Sequence, residues 1–325
     1  MPAVSVIVLV YKVEEYIAKC ARSLFGQTLR DVEFVIVDDC SPDRSMEVLT
    51  KILDNEFPER REQVRIIRNE RNSGQAYSRR RGIDNCTGKY TIHCDSDDWM
   101  ELNMLERMYQ EAEKYEADAV VCGWFRDDRL VESKYTVPGK NLRDYIVGDM
   151  VRVGEMQSLW RYMVKRQLYR NDIDLPISDQ GEDHAILVQL AYFSKSIYCI
   201  KDHLYHWRTN MSSITNNPSP QGVLRRFEGA CANTRLVQSF FVGKGEEKNF
   251  ARQLTALKLY SMFYLRPLLR KGEAIDIWRN EFPEIKGKVL SNKHIKFAHK
   301  LEYLTDMYCP PAIIKAVYKW RSRSR

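Results

Sequence analysis

The chain has no apolar run long enough to cross a bilayer. Its longest, "VSVIVLVY" from Val4 to Tyr11, falls far short of the ~20 residues that a spanning helix needs. That run also lacks a charged leader and a small-residue cleavage site, so it reads as a buried strand and not as a signal peptide. The eight cysteines (Cys20, Cys40, Cys86, Cys94, Cys122, Cys199, Cys231 and Cys309) contain no C-x-x-C pair. This argues against zinc sites and disulfides and for reduced core thiols. Neither G-x-x-x-x-G-K-[ST] nor G-x-G-x-x-G occurs, which leaves phosphate cradling by a Gly-rich loop unsupported. There is no internal repeat and no low-complexity segment. The expected compartment is the cytoplasm.

What is present is an ordinary globular composition, 44% hydrophobic and 29% charged over 325 residues. That length suits one large domain with an appendage, or two domains. The net charge of +7 is uneven: Lys286 to Arg325 holds ten Lys/Arg against two Asp/Glu, and the remainder has 41 against 42. Within the basic tail, Phe297, Leu301, Leu304 and Tyr308 fall on one helical stripe with Lys293, Lys296 and Lys300 around it. After Pro310-Pro311, Ile313, Val317 and Trp320 repeat the pattern. Such helices suit an anionic membrane surface, here the inner face of the cell membrane, in peripheral attachment. The competing reading is a helix packed on the main domain with a solvated basic face. Nucleic acid is not an expected partner, because no reading motif accompanies the charge.

The first 125 residues alternate strand and helix signals. "VSVIVLV", "VEFVIVDD", "VRIIRN", "YTIHC" and "DAVVCGW" read as strands, the first two as buried on both faces. Between them lie a helix with Ile17, Cys20 and Leu24 on one side, a helix capped by Ser41 or Asp43, the helical "QAYSRRRGIDNC", and a helix from about Leu102 to Tyr115. Repeated βα units predict an α/β fold with a mostly parallel central sheet and helices on both faces. Further on, "SKYTVPGK" reads as strand and turn, and "YIVGDMVRVGEMQSLWRYMVKRQLY" as one or two helices leading into a strand. An acidic loop, an amphipathic helix with Ile186, Leu187 and Leu190, and a short strand "SIYCI" follow. "PSP" after Asn217 marks a boundary, and the remainder is helix-rich.

Ligands of such sheets sit beyond the carboxyl ends of the strands. Tyr11-Lys12, Asp38-Asp39 and Asp95-Ser96-Asp97-Asp98 all fall at predicted strand ends. Asp95 and Asp97 are hard oxygen donors, suited to Mg²⁺ or Mn²⁺ with positions left for phosphate and water. The structural alternative, Asp97 or Asp98 capping the next helix, does not account for Asp95 as well. An EF-hand is excluded by Trp99 and Met100 where an acidic or amide residue and a glycine are required.

"VSVIVLVYKVEEYIAKCARSLFGQT", "VEFVIVDDCSPDRS", "NSGQAYSRRRGI", "GKYTIHCDSDD", "GEDHAILVQL" and "LYHWRTNMSSIT" together resemble the inverting family 2 glycosyltransferases over roughly residues 3 to 215. The resemblance implies the GT-A type, Rossmann-like nucleotide-diphospho-sugar transferase fold, with a helical C-terminal extension outside it. It implies a catalytic domain over 1–217, nucleotide-binding over residues 1–100 and acceptor-side over residues 101–217. A helical region, 218–325, follows, and its tail 286–325 is basic. The resemblance further implies that Asp39 accepts from the uracil of a UDP-sugar, with Val10 and Tyr11 against the base. Asp95 and Ser96 would lie at the nucleotide, and Asp97 and Asp95 would hold Mn²⁺ or Mg²⁺. Gly74 and Arg79 stand where the family places a glycine turn and an arginine near the nucleotide. Lys12 and Arg80 depart from the usual asparagines.

Transfer from a nucleotide sugar needs the departing diphosphate stabilised and the acceptor hydroxyl deprotonated. "GEDH" offers Asp183, beside Glu182, at the start of a helix whose dipole favours a carboxylate. From the residues alone, base and helix cap are equally good readings; the resemblance assigns the base to Asp183. His206 in "YHWR" is a candidate third metal ligand or diphosphate contact, or a structural histidine, and Arg208 a candidate phosphate partner. Arg208 and "NMSSI" are candidates to close over the donor. Trp99 and Trp160 are candidates for sugar stacking or for core. The predicted function is inverting transfer from a nucleotide sugar to a hydroxyl of a glycan or lipid-linked glycan, in surface polysaccharide or lipid-linked oligosaccharide synthesis. The alternatives are a non-catalytic nucleotide- or glycan-binding protein on this fold and a metal-dependent nucleotidyltransferase.

Overall fold

The computed structural model describes residues 1–132, 139–141, 143, 144, 147, 158–210 and 217–323. The strand expected in "SKYTVPGK", the helices expected before Ser158 and most of the "NMSSI" loop lie outside the described residues. Two compact units divide the chain: one covers 1–147, 157–177 and 186–210, the other 148–156, 178–185 and 211–325.

In the first unit the βα alternation is realised in chain order. Strand β1 (Val4–Val10) leads to helix α1 (Ile17–Phe25), β2 (Val32–Asp38) to α2 (Ser45–Glu56), and β3 (Val64–Arg68) to α3 (Gln75–Asn85). Then come β4 (Tyr90–Asp95), the two-residue β5 (Trp99–Met100), α4 (Met104–Lys114), β6 (Ala119–Arg126), β7 (Arg129–Val131) and β8 (Tyr162–Lys165). Helix α5 (Glu182–Phe193) precedes the long β9 (Ile197–Trp207). The sheet order is β3-β2-β1-β4-β8-β6-β9-β5, with β7 on β6.

The run β3-β2-β1-β4 is parallel throughout. Beyond β4 the sheet is mixed: β8 is antiparallel to both β4 and β6, and β6 runs parallel to β9. β1 reads as an unbroken apolar run because both its faces are covered. Val4, Val6, Val8 and Val10 join one core with Ile17, Leu24 and Leu49, while Ile7 packs with Val35, Val37 and Ile83 in another. The second contact is close: a methyl on Gly82 of α3 would lie 2.4 Å from Ile7 Cγ2. No larger residue fits there without displacing β1.

All eight cysteines are free thiols. Burial pushes Cys122 and Cys199 up to about 12, so at neutral pH they are inert core residues.

The second unit is helical in its described residues: α6 (Pro220–Gly243), α7 (Ala251–Met262), the short α8 (Arg266–Leu269) and α9 (Ile275–Asn280), α10 (Phe297–Tyr308) and α11 (Pro311–Arg323). Ser219 caps α6 by accepting from Gly222 N, with Pro220 in the first turn. Val223, Phe227, Leu259, Leu265, Trp278 and Tyr303 lie in its core.

Candidate active site

Strand register assembles the site. Leu9 stands opposite Asp95 and Val10 opposite Asp38 in the parallel ladders, so the chain leaves β1, β2 and β4 at one edge of the sheet. After β4, Asp98 N donates to Asp95 O at 3.0 Å. This closes a turn over Asp95-Ser96-Asp97-Asp98 and holds three carboxylates within four residues.

The three acids are handled differently. Asp98 is buried; its Oδ2 accepts from Tyr205 Oη at 2.9 Å and its Oδ1 from Arg208 N at 2.8 Å. Burial first, and then the Asp95 and Asp97 carboxylates, push its carboxyl well above the usual range. Both oxygens are engaged within the fold, so Asp98 anchors the site. Asp97 is half-buried and accepts from Asn210 Nδ2 at 2.9 Å. Asp95 is half-buried, and its N–H donates to Tyr205 Oη at 3.0 Å. Tyr205 thus clamps both ends of the turn. Its own ionisation is strongly suppressed by burial, then by Asp98, so it stays a neutral donor and acceptor.

Two elements bring Tyr205 there. β5 pairs antiparallel with β9, setting Met100 opposite Tyr205 and Trp99 opposite His206. His206 is sandwiched between Trp99, at 4.7 Å, and Phe125, at 4.5 Å. Its Nε2 lies 2.7 Å from Glu101 and its Nδ1 3.5 Å from Asp128. Stacking and these two acids account for the position of the imidazole. Among the described residues no group of three or more His, Cys, Asp or Glu side chains could hold a metal ion.

A divalent cation nevertheless fits the turn. Asp95 and Asp97 supply hard oxygens, and the crowding that disfavours ionised Asp98 is what a cation relieves. Two carboxylates without a full cage match the way Mg²⁺ binds together with substrate phosphates.

Just past the end of β2, Asp39 is buried and accepts from Asn69 Nδ2 at 2.6 Å, Ser73 N at 2.8 Å and Gly74 N at 3.0 Å. Asp39 therefore ties down the turn at Gly74, whose φ of 90° and ψ of 167° are open to glycine alone. A carboxylate has about four acceptor sites, so one remains. Val10 is buried and Tyr11 half-buried, with the Lys12 ammonium 5.4 Å from the Tyr11 ring centroid. Lys12 has φ 53°, the left-handed region in which asparagine is less strained than lysine.

Arg79 is buried, with Nη1 3.0 Å from His93 Nδ1. Burial first, and then Arg79, hold His93 well below its ordinary pKa. It is neutral and accepts from the guanidinium. Arg79 thus sits under the sheet edge rather than displayed upon it. The Arg208 guanidinium lies 4.9 Å from the Trp99 ring centroid and 5.2 Å from that of Tyr16. Lys19 Nζ lies 3.1 Å from the same Trp99 ring, giving the edge two cations around one indole. Trp160 is buried and stacked on Tyr205 at 4.2 Å, which makes it core. Ser96 is buried in the turn. Asp183 is half-buried in the first turn of α5, within residues 178–185 of the second unit.

Sequence reasoning missed Tyr205, Asn210, Lys19 and Glu101. Only the β5–β9 pairing exposes the first, and nothing in the residue pattern marks it.

Similarity to known proteins agrees with this geometry. The chain is 28% identical over 232 residues to the uncharacterized glycosyltransferase EpsJ of Bacillus subtilis, covering 67% of this chain and 64% of that protein. It is 29% identical over 226 residues to the glycosyltransferase GlyA of Streptococcus pneumoniae, covering 65% of this chain and 31% of that protein. The chain therefore spans less than two thirds of these relatives. In fold it resembles S. aureus TarS 1-349, with TM-score 0.58, 17% identity, and coverage of 95% of this chain and 93% of that one. It also resembles the mannosyltransferase PcManGT of Pyrobaculum calidifontis in complex with GDP-Man and Mn²⁺, with TM-score 0.55, 15% identity, and coverage of 98% and 88%. Both likenesses agree with the GT-A type fold expected from the motifs. The model of glycosyl transferase family 2 matches residues 5–187, more than half the chain and nearly all the strands that carry the acidic turn, so the chain belongs to glycosyl transferase family 2.

Proposed function

We propose that this glycosyltransferase moves a sugar from a nucleotide sugar, with a UDP-sugar as preferred donor, to a hydroxyl of a glycan or lipid-linked glycan, inverting the anomeric centre. The pathway proposed is surface polysaccharide or lipid-linked oligosaccharide synthesis. The observation that carries the reading is the register that sets Asp95 and Asp38 beside the end of β1, with the crowded acidic turn next to them. Solved structures of the same fold support the donor class: one is TarS in complex with UDP-GlcNAc, another PcManGT with GDP-Man and Mn²⁺.

In this reading Val10 and Tyr11 face the base, and Asp39 uses its remaining acceptor site on the uracil N–H while holding the Gly74 turn. Asp95 and Ser96 meet the nucleotide, and Arg79 supports that edge from beneath. Asp97, with Asp95, would hold Mn²⁺ or Mg²⁺, which when bound supplies charge neutralisation to the departing diphosphate. Arg208 contributes a second positive group to the phosphates. Asp183 is the proposed base: it takes the acceptor proton as the hydroxyl attacks, and the α5 dipole keeps it ionised. One base and one attacking hydroxyl make a single displacement.

The Asp183→Asn variant tests this. UDP-sugar affinity should stay within a few-fold of wild type, while transfer falls by at least about 100-fold, the scale of general-base loss. Unimpaired transfer would remove the base assignment.

A further inference from the structure

The basic tail displays its apolar stripe instead of burying it. On α10 the residues facing the core are Tyr303, Asp306 and Met307. Phe297 and Tyr308 are 74% and 64% exposed, Leu301 is also exposed and Leu304 half-buried. These four are one helical stripe, so an aromatic-aliphatic ridge points at solvent. On α11, Ile314 and Tyr318 are buried while Ile313 and Trp320 are exposed.

The charges are sorted in the same sense. Residues 286–325 contain only two acids, Glu302 and Asp306, and both are turned inward. Glu302 Oε2 lies 2.6 Å from Arg266 Nη2, and Asp306, fully buried, accepts from Tyr318 Oη at 2.9 Å. The same segment carries ten Lys/Arg. Lys293 and Lys296, just before the ridge, are exposed.

We propose that this outward face of α10, continued by α11, docks on an anionic lipid bilayer. The Phe297–Leu301–Tyr308 ridge would enter the headgroup boundary, and the flanking lysines would meet lipid phosphates. A stripe packed against the protein core would be buried, as Tyr303 and Met307 are on the other face of the same helix. A nucleic acid would use the charge but has no use for an aliphatic-aromatic ridge at helical spacing.

The test is sedimentation of the full chain with vesicles of phosphatidylcholine alone and of phosphatidylcholine containing one-third phosphatidylglycerol. Binding should favour the anionic vesicles and weaken as salt is raised. The Lys293→Glu/Lys296→Glu/Lys300→Glu variant should lose roughly 100-fold in partitioning. The Phe297→Ser/Leu301→Ser/Tyr308→Ser variant should also detach, with an unchanged melting temperature because these side chains lie outside the core. Equal binding to neutral vesicles, wild-type binding by either variant, or displacement of the protein from vesicles by single-stranded RNA would overturn the proposal.

Discussion

The molecule contains two clusters of acids that are treated in opposite ways. At the carboxyl end of β4, Asp95, Asp97 and Asp98 are crowded onto one turn, and the groups contacting Asp98 and Asp97 are a phenol, a backbone N–H and an amide. Between α10 and α8, Glu302 and Asp306 are met by a full positive charge, Arg266. Burial alone does not separate the two, since Asp98 and Asp306 are both buried. What separates them is neutralisation. An acid pair with its own arginine is structural, whereas Asp97 and Asp98 take their hydrogen bonds from neutral donors and suit an added positive charge. A cation with its diphosphate would supply that charge.

Breaking either cluster should have different consequences. The largest effect belongs to Asp97→Asn: transfer should fall by about 100- to 1000-fold, as for loss of one preorganised electrostatic element. Its melting temperature should stay near wild type, because Asn210 can still bond to the amide. Arg266→Ala should do the reverse. It leaves Glu302 and Asp306 buried without their counter-charge and should cost about 3–5 kcal/mol in denaturant unfolding.

A pH series sharpens the contrast. The carboxyl of Asp98 is raised in the fold, mainly by burial. Its favourable contribution is present below the ordinary carboxylate range and is lost as pH rises through the raised value. Asp98→Asn has no proton to lose. The difference in melting temperature, variant minus wild type, should therefore grow from acid to neutral pH, and Mn²⁺ should shrink it. The smallest effect is Lys12→Asn, which relieves a left-handed φ and should stabilise by about 0.5–1 kcal/mol.

Much of the parallel half of the sheet was legible, because β1 and β2 are buried on both faces and show it as unbroken β-branched runs. The far half was less so. β9 reads as the short "SIYCI", since Lys201, Asp202 and His203 interrupt the apolar pattern; in the fold Lys201 is exposed and Asp202 pairs with Arg107. The acidic turn was visible as three aspartates, but their partners come from a strand a hundred residues later. Tyr205 in "LYHW" looks like any core tyrosine until β5 pairs with β9. His206 was open to three readings, metal ligand, diphosphate contact or structural histidine, and its stacking between Trp99 and Phe125 cannot be read from spacing. In the tail, apolar periodicity located the helices correctly but not which face turns inward, because the inward face uses Tyr303, Asp306 and Met307.

The central claim is that the turn at Asp95–Asp98 binds a nucleotide diphosphate through a divalent cation. Calorimetric titration of UDP into the wild-type chain and into Asp97→Asn, each with Mn²⁺ and with EDTA, tests it most directly. The expected result is binding by the wild type in Mn²⁺, weakened at least tenfold by EDTA and by the substitution, with no further loss when the two are combined. Equal UDP affinity in all four titrations would contradict it.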